Sequence, residues 1–390
     1  PDGSIDRRSF LAMAAGLGAA TAAGAGLGLP GVAQAQSQPL RIGWIRPTTG
    51  RLVSTFAQNY VGGLIAIDEI NAAGGILGRQ IVRQEEDDEA SPAKQPAIIK
   101  KLQDAGIGFI VGPTGSSQTL ASMAMTTPAK IIQSAFANAA EIGDGTRYPY
   151  HYQVTFNSNQ QAEVCVRHLC ETLKLKKVGI LQENTAFGEQ GTLASRAAMK
   201  KLGVEPIAVE VYSQTAPDLT PFLSNLRKAG AEGVIAWIAS LPNLAMAFNA
   251  MHRMKWSPPI TGHNGLFYES LFDLVPEEAL KNVSATFYRN YLWTPSRPIG
   301  ERQQAYARKL AAYPETKGSG AAVATAPYYD FLHLLKLAIE QEKSFDTERV
   351  KRALDNVRDY DGMLGRISFT PQNHTAISSD QVSLGTVMSA

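Results

Sequence analysis

The chain of 390 residues is long enough for two core-forming units, and it carries a formal net charge of only +2. Its charged residues are interspersed, and no basic run is flanked by stacking aromatic side chains, which argues against nucleic acid as a partner. The two cysteines, Cys165 and Cys170, lie on different faces of a predicted helix. This placement disfavours a disulfide and gives no support to a structural zinc site.

The first 35 residues are predicted to be a cleaved export signal. Residues 6–11 read DRRSFL, the twin-arginine export pattern, and an apolar segment rich in Ala and Gly covers residues 12–29. Residues 33–35 read AQA, which fits a signal peptidase site. A membrane anchor is the alternative, but this much Gly and Ala does not favour one. The general secretory route is the alternative path of export.

After the signal, the first half of the chain alternates predicted strands and helices. A buried strand at residues 42–45 leads through a turn into a helix at residues 54–71, whose apolar residues share one face. Gly74 and Gly75 end this helix, because glycine readily forms the left-handed cap. The elements that follow are strands at 81–82, 109–111, 131–134 and 150–155, and helices at 91–104 and 118–125. Strands joined by single helices build parallel sheets.

Several short sequence motifs lie in and around these elements in a fixed order: Gly63, DEINAAGG at residues 68–75, Gly78-Arg79, Asp87-Asp88 and Pro92-Ala93-Lys94. This pattern resembles the branched-chain amino-acid-binding family of bacterial solute-binding proteins, and the resemblance extends from about Leu40 to about Val387. It implies the α/β fold of a type I periplasmic binding protein, with two doubly wound parallel-sheet lobes and a ligand cleft between them. It also implies a periplasmic protein that delivers a small molecule to an ABC importer.

The second half of the chain repeats the alternation. Strands are predicted at 178–181, 207–212, 234–238, 260–261 and 283–287, with helices at 189–202, 218–229 and 241–254. Later helices at 301–313, 322–342 and 347–356 are expected to finish the first lobe, and strands at 365–369 and 382–387 to close the second. The resemblance implies about three crossings between lobes. We therefore expect residues 38–156 and 288–360 to form lobe I, and residues 157–287 and 361–390 to form lobe II.

Ligands of open parallel sheets bind outside the carboxyl ends of the strands. The loops expected to face one cleft are residues 48–56 with Thr55, 113–117 and 135–140 in lobe I, and those at Phe187, Ser240 and Asn264 in lobe II. Thr114, Ser116 and Ser117 offer hydroxyls beside backbone N–H groups at the start of a helix, a combination that suits a carboxylate. Capping of that helix is the alternative. The loop lacks the GxxxxGK[ST] spacing of a phosphate loop.

The resemblance implies that the ligand's carboxylate also meets the next loop, through the backbone of Phe136 and the side chain of Asn138. Phe136 stands where the family usually has a small residue, and it adds a flat apolar wall, with core packing as the alternative. Phe187 stands at a position that is commonly tyrosine. These aromatic residues favour a larger and flatter ligand than a branched-chain amino acid.

Asn264 falls where the family usually has the acid that meets the ligand's amine. An amide cannot neutralise an ammonium group. We therefore predict a non-amino carboxylate, above all an aromatic acid, and keep a branched-chain or other amino acid as the alternative. Glu183 and Glu269 lie in nearby loops and are the residues that would substitute for the missing acid.

Enzyme function is disfavoured, because the sequence has no GxSxG elbow, no HExxH and no metal-spaced His/Cys group. Of the six histidines, His263 alone falls in a predicted cleft loop. Residues 47–51 make a poor glycine-rich turn for a nucleotide enzyme, and the export signal argues against a cytosolic ligand-sensing regulator. We expect no cofactor and no metal. The expected partners are a small carboxylate and a membrane permease, and the protein is expected to act as a periplasmic monomer.

Overall fold

The structure is a computed structural model that describes residues 38–50, 52–313 and 322–386. The predicted export signal at residues 1–35 lies outside these residues. The strands of the described part form a four-stranded sheet, a six-stranded sheet and a two-stranded ribbon. Among the described helices, none combines the length and apolar character that crossing a membrane requires.

Four parallel strands form the sheet of lobe I, in the order β2-β1-β3-β4. The strands are β1 Leu40–Arg46, β2 Ile81–Asp87, β3 Phe109–Thr114 and β4 Ile132–Phe136. Every residue of β3 and β4 is buried, as expected for parallel strands covered by helices on both faces. The helices of this half are α1 Val53–Phe56, α2 Val61–Ala72, α3 Gln95–Asp104 and α4 Ser116–Thr126. The predicted βαβ order is confirmed.

Six strands form the sheet of lobe II, in the order β12-β9-β8-β7-β5-β6. They are β5 Val178–Glu183, β6 Ala208–Tyr212, β7 Gly233–Trp237, β8 Ile260–Gly262, β9 Val283–Tyr288 and β12 Val382–Gly385. All neighbours are parallel except β12, which pairs antiparallel with β9. The helices are α5 Ser158–Val166, α6 Ala186–Lys201, α7 Thr220–Lys228 and α8 Leu241–Arg253.

Three later helices return to lobe I: α9 Glu301–Ala312, α10 Ala322–Glu342 and α11 Thr347–Asp355. Helix α10 packs closely on α2, and a Cβ atom on Gly62 would lie only 2.1 Å from the carbonyl oxygen of Thr325. Only a glycine therefore fits this crossing. Tyr328, Phe331 and Leu335 of α10 are buried in the same core as the strands of lobe I.

The segment after α11 does not follow the sequence expectation, which assigned all of residues 361–390 to lobe II. A short ribbon of β10 Tyr360–Asp361 and β11 Arg366–Ile367 comes first. Ile367 and Phe369 are then buried in the core of lobe I, so the predicted strand at 365–369 does not close lobe II. Among the described residues 361–386, β12 alone joins the lobe II sheet. The alternation of apolar residues predicted that this segment is buried, but it did not indicate in which lobe the segment is buried.

The structure differs from one smaller expectation, the strand at 150–155, and adds detail to another, the state of the two cysteines. The predicted strand at 150–155 makes only isolated bridges, from His151 to Gln133 and from Gln153 to Thr375. Cys165 and Cys170 are both buried free thiols. Burial raises the pKa of the Cys165 thiol to about 12, which keeps it protonated and unreactive near neutral pH.

Candidate functional site

A cavity of about 360 Å³ lies at the carboxyl ends of the strands and is lined by loops of both lobes. This volume lies in the range of small-molecule sites, which is about 300–1,000 Å³. Six of the nine residues expected at the site line it: Thr114, Ser116, Ser117, Phe136, Asn138 and Phe187. Thr55, Ser240 and Asn264 do not.

The lobe I end of the cavity is formed by the first turn of helix α4. Gly115 is the N-cap residue, with a φ of +102° that favours glycine, and no side chain caps the helix. The Ser116 hydroxyl instead accepts the N–H of Ala139 at 3.1 Å, and the Ser117 hydroxyl accepts the N–H of Ala186 at 3.1 Å. Simple capping is therefore not the role of these hydroxyls. The first N–H groups of a helix have no intrahelical acceptor, so this end suits an anion.

Tyr328, from helix α10, fixes the two loops beside this helix start. Its hydroxyl accepts the N–H of Phe136 at 3.0 Å and donates to the carbonyl of Pro113 at 3.1 Å. The Thr114 hydroxyl lies 3.3 Å from it and donates to the hydroxyl of Tyr60 at 3.1 Å. The expectation that the Phe136 backbone holds the ligand's carboxylate is therefore not supported, because that N–H is already bonded. Burial raises the pKa of Tyr328 to about 12, so it stays protonated.

Aromatic rings make the apolar walls of the cavity. Phe136 contributes from lobe I and Phe187 from lobe II. Phe187 packs edge-to-face on Trp237, with ring centroids 5.6 Å apart, and on His263, with centroids 4.9 Å apart. Asn138 also lines the cavity, and its side-chain oxygen lies 3.4 Å from the hydroxyl of Thr155. The two rings give the cavity flat apolar walls beside the polar end in lobe I.

His263 is the predicted cleft histidine, and it does line the cavity. Its Nδ1 accepts the N–H of Gly265 at 3.1 Å, so Nε2 carries the hydrogen and donates to the carbonyl of Ile238 at 2.6 Å. Burial lowers the pKa of His263 to about 4, which keeps the ring neutral. His263 therefore shapes the loop and the wall and brings no positive charge.

Glu183, at the end of β5, is the acidic residue among the described residues that line the cavity. The residue is only 1% exposed, and one carboxylate oxygen accepts from the Thr185 hydroxyl at 2.7 Å and from the Gln214 amide at 2.9 Å. The other oxygen accepts the N–H of Ala239 at 2.9 Å. Sequence reasoning named Glu183 as a substitute acid but did not place it in the site. The side chain of Glu269 lies outside the described part.

The three remaining candidates do not line the cavity, and two of them hold other elements by hydrogen bonds. Ser240 is the N-cap of helix α8, and its hydroxyl accepts the N–H of Asn243 at 3.3 Å. Asn264 is buried at the start of the short 3₁₀-helix Asn264–Phe267 and does not reach the cavity. Thr55 accepts the N–H of Leu241 at 3.2 Å, a contact that joins lobe I to the start of α8. The position of these residues along the chain therefore did not predict the direction of their side chains.

The described residues place neither a metal-binding cluster nor a basic Lys or Arg side chain at the cavity. Within residues 38–50, 52–313 and 322–386, no group of three or more His, Cys, Asp or Glu side chains is placed to hold a metal ion. No Lys or Arg is among the described residues that line the cavity. Backbone N–H groups at the start of α4 are among the donors that the described residues offer to an anion.

Two α/β lobes with a cavity at the carboxyl ends of both sheets define a two-lobed ligand-binding protein of the type I periplasmic binding fold. The sequence profile of the periplasmic binding protein family matches residues 39–383, and the chain belongs to this family. The resemblance seen in the sequence is thereby confirmed. The family consists of solute-binding proteins.

Individual relatives are similar to this chain at low sequence identity. The Leu/Ile/Val-binding protein BraC3 of Rhizobium johnstonii is 24% identical over 332 residues, which are 85% of this chain and 87% of that protein. The branched-chain amino acid transporter substrate binding protein LivJ of Streptococcus pneumoniae, solved with isoleucine, has a TM-score of 0.75 at 21% identity, covering 90% of this chain and 99% of that one. A solute binding protein of an ABC transporter of Rhodopseudomonas palustris, solved with 3,4-dihydroxy benzoic acid, has a TM-score of 0.76 at 19% identity, covering 90% and 94%.

Proposed function

We propose that this protein captures a small aromatic carboxylate without an α-amine and delivers it to the membrane permease of an ABC importer. The observation that carries the proposal is the start of helix α4, which no side chain caps and which opens on a cavity walled by Phe136 and Phe187. The N–H groups there suit the carboxylate, and the rings suit a flat apolar body. The 3,4-dihydroxy benzoic acid bound by one structural relative agrees with this reading.

An α-amino acid fits this end of the cavity less well. Its ammonium group is attached to the carbon that bears the carboxylate, so it would be held close to the N-terminus of α4. The partial positive charge of a helix start disfavours a cation. A buried ammonium without a well-placed acid costs several kcal/mol on general estimates, roughly 3–5 kcal/mol when one partner of a buried pair is missing.

An amino acid remains the second candidate, and Glu183 is the observation that favours it. This buried carboxylate lies in the cavity wall and is able to attract an ammonium group. The amide of Asn264 accordingly does not decide between the two ligand classes, because Asn264 does not line the cavity while Glu183 does. The names of the Leu/Ile/Val-binding relative and of the isoleucine complex point in the same direction.

Calorimetric titration of the purified protein with matched ligands distinguishes the two candidates. Phenylalanine is compared with 3-phenylpropanoate, and leucine with 4-methylpentanoate, so that each pair differs only in the amine. The proposal expects the amine-free ligand to bind at least tenfold more tightly in one pair, a difference of about 1.4 kcal/mol. Tighter binding of the amino acids by the same factor would assign the amino-acid ligand class and leave the solute-binding function intact.

We also propose that capture proceeds by closure of the lobes, which bury the ligand between them. Hydrogen bonds already join the lobes, among them those from the Ala186 N–H to the Ser117 hydroxyl and from the Leu241 N–H to the Thr55 hydroxyl. Each satisfies an N–H at the start of a lobe II helix, a group without an intrahelical acceptor. Thr55 does not line the cavity described above. A substitution of Thr55 therefore tests closure of the lobes without removing a direct contact with the ligand.

Replacing Thr55 with valine is expected to weaken ligand binding about fivefold without changing ligand preference, because one hydrogen bond contributes about 1 kcal/mol. The change removes the hydroxyl and keeps the shape of the side chain. Calorimetry gives the affinity, and small-angle scattering with and without ligand reports how far the lobes close. Thr55→Ser retains the hydroxyl and is the control. Wild-type affinity in Thr55→Val would show that this contact does not contribute to closure.

We propose further that the protein reaches the periplasm by the twin-arginine route and hands over its ligand there as a monomer. Arg7 and Arg8 belong to residues outside the described part, so this step rests on the sequence alone. A variant with both residues changed to lysine is expected to remain unexported when cell fractions are compared by immunoblotting. Normal periplasmic yield of this variant would assign export to the general secretory route.

A further inference from the structure

The cavity wall carries a second apolar patch that the proposed capture of one aromatic ring does not use. This patch consists of Leu52, Phe56 and Ala90, which line the cavity and pack together as a buried apolar cluster of their own. Phe136 and Phe187, the walls described above, belong to two other apolar clusters. The cavity is therefore apolar in separate places, and a ring seated between Phe136 and Phe187 leaves the second patch uncovered.

Hydrogen bonds place the start of α4 between Phe136 and the second apolar patch. On one side, the N–H of Gly115 donates to the carbonyl of Phe136 at 2.9 Å. On the other side, the side-chain amide of Gln118 in the first turn of α4 donates to the carbonyl of Ala90 at 2.5 Å. The strand order agrees, because β3, which leads into α4, lies between β4, which ends at Phe136, and β1, which leads into the second patch. A carboxylate bound at α4 therefore has an apolar wall on each side.

Two adjacent aspartates hold the second apolar patch in place. The carboxylate of Asp87 accepts the N–H of Thr48 at 2.9 Å and the hydroxyl of Thr49 at 2.6 Å, which ties the loop after β1 to the end of β2. The carboxylate of Asp88 accepts the N–H of Ala90 at 2.9 Å. The patch is thus preorganised, so a ligand group that binds there does not first have to order the loops.

We propose that the second apolar patch is a subsite for a second apolar group of the ligand, across the carboxylate from the aromatic ring. This inference rests on the proposed function and deepens it. Because the start of α4 lies between the two walls, the two groups diverge from the carbon that bears the carboxylate. The ligand class becomes 2-arylalkanoates, which are aromatic acids with an alkyl chain on that carbon. The chain adds affinity, because its burial removes apolar surface from water.

Calorimetric titration with three aromatic acids tests this assignment. Compared with phenylacetate, 2-phenylpentanoate adds a propyl group on the carbon beside the carboxylate. Its isomer 5-phenylpentanoate has the whole chain between the acid and the ring. The wild-type protein is expected to bind the better enantiomer of 2-phenylpentanoate at least about tenfold more tightly than phenylacetate, a difference of about 1.4 kcal/mol. It is expected to bind 5-phenylpentanoate at least about tenfold more weakly than 2-phenylpentanoate, because that isomer has no second group beside the carboxylate.

Ala90→Leu fills the second apolar patch and is expected to reduce the preference for 2-phenylpentanoate over phenylacetate to less than about threefold. Ala90 already has a φ of +53°, so the leucine needs no new backbone conformation. Ala93→Leu is the matched control, since Ala93 is exposed and does not line the cavity. It adds the same side chain and is expected to keep the wild-type preference. A preference that survives in folded Ala90→Leu would overturn the assignment of the alkyl chain to this patch.

The comparison of wild-type affinities needs no variant, so it decides the question even where Ala90→Leu fails to fold. If phenylacetate binds and 2-phenylpentanoate gains less than about tenfold, or 5-phenylpentanoate binds as tightly as its isomer, the second subsite is overturned and the proposed function stands. Titration with phenylalanine in the same series tests the proposed function itself. If phenylalanine binds and none of the three acids does, the proposed ligand class fails, and this inference fails with it.

Discussion

Replacing Ser117 with aspartate is expected to lower the affinity for a carboxylate ligand at least 100-fold while leaving the protein folded. Ser117 is the second residue of helix α4 and lines the cavity. An aspartate there would put a negative charge beside the N–H groups that we assign to the ligand's carboxylate. Two unit charges 4 Å apart near a protein surface repel by roughly 4 kcal/mol, and a 100-fold loss corresponds to about 2.7 kcal/mol.

The same substitution is expected to keep or raise the melting temperature, because an acidic side chain in the first turn stabilises a helix. Calorimetric titration and thermal unfolding of the same preparation therefore give opposite signs for binding and stability. Ser117→Asn has the same shape without the charge, and it is expected to lose far less affinity. Affinity of Ser117→Asp within fivefold of wild type would show that the ligand's carboxylate does not bind at α4.

The parts of the site that follow a strand directly were predictable from the sequence. Thr114, Ser116 and Ser117 lie between β3 and α4, and a strand-to-helix turn in a parallel sheet faces the ligand side of the sheet. Phe136 and Phe187 occupy equivalent places at other strand ends. For these residues local order along the chain is sufficient, because the fold class fixes the side of the sheet on which the loops lie.

The supporting contacts were not predictable, because they come from distant parts of the chain. The hydroxyl of Tyr328 bonds the N–H of Phe136 across 192 residues, and nothing local to either residue signals this contact. Glu183 and Asn264 show a different limit. Asn264 was expected in the cleft and Glu183 only in a nearby loop, but Glu183 lines the cavity, whereas the chain after β8 turns into a 3₁₀-helix and keeps Asn264 out of it. Side-chain direction depends on such turns, and periodicity does not report it.

The second large effect concerns Asp330, a buried residue of helix α10 that sequence reasoning did not select. Its carboxylate accepts the N–H groups of Met363 at 2.7 Å and Leu364 at 3.2 Å, and so fixes the segment after α11 on lobe I. Burial raises the pKa of Asp330 from 3.8 to about 6. The unfolded chain therefore loses this proton at a lower pH than the folded protein does. Between pH 4 and pH 6 the folded state binds more protons, so this group lowers stability as pH rises.

Asp330→Asn removes the titration, and its free energy of unfolding relative to wild type is expected to rise by about 2 kcal/mol from pH 4 to pH 7. Urea unfolding of both proteins at each pH measures this difference, whatever the cost of the substitution itself.

Glu69→Gln is the control of opposite sign, because a hydrogen bond from His333 lowers the pKa of Glu69 to about 2, with Lys309 and Tyr329 adding to the effect. That group contributes stability above pH 4.5 and loses it as pH falls, so the relative stability of Glu69→Gln is expected to decline with rising pH. Parallel pH curves for wild type and Asp330→Asn would show that Asp330 is not the buried ionising group that holds this segment.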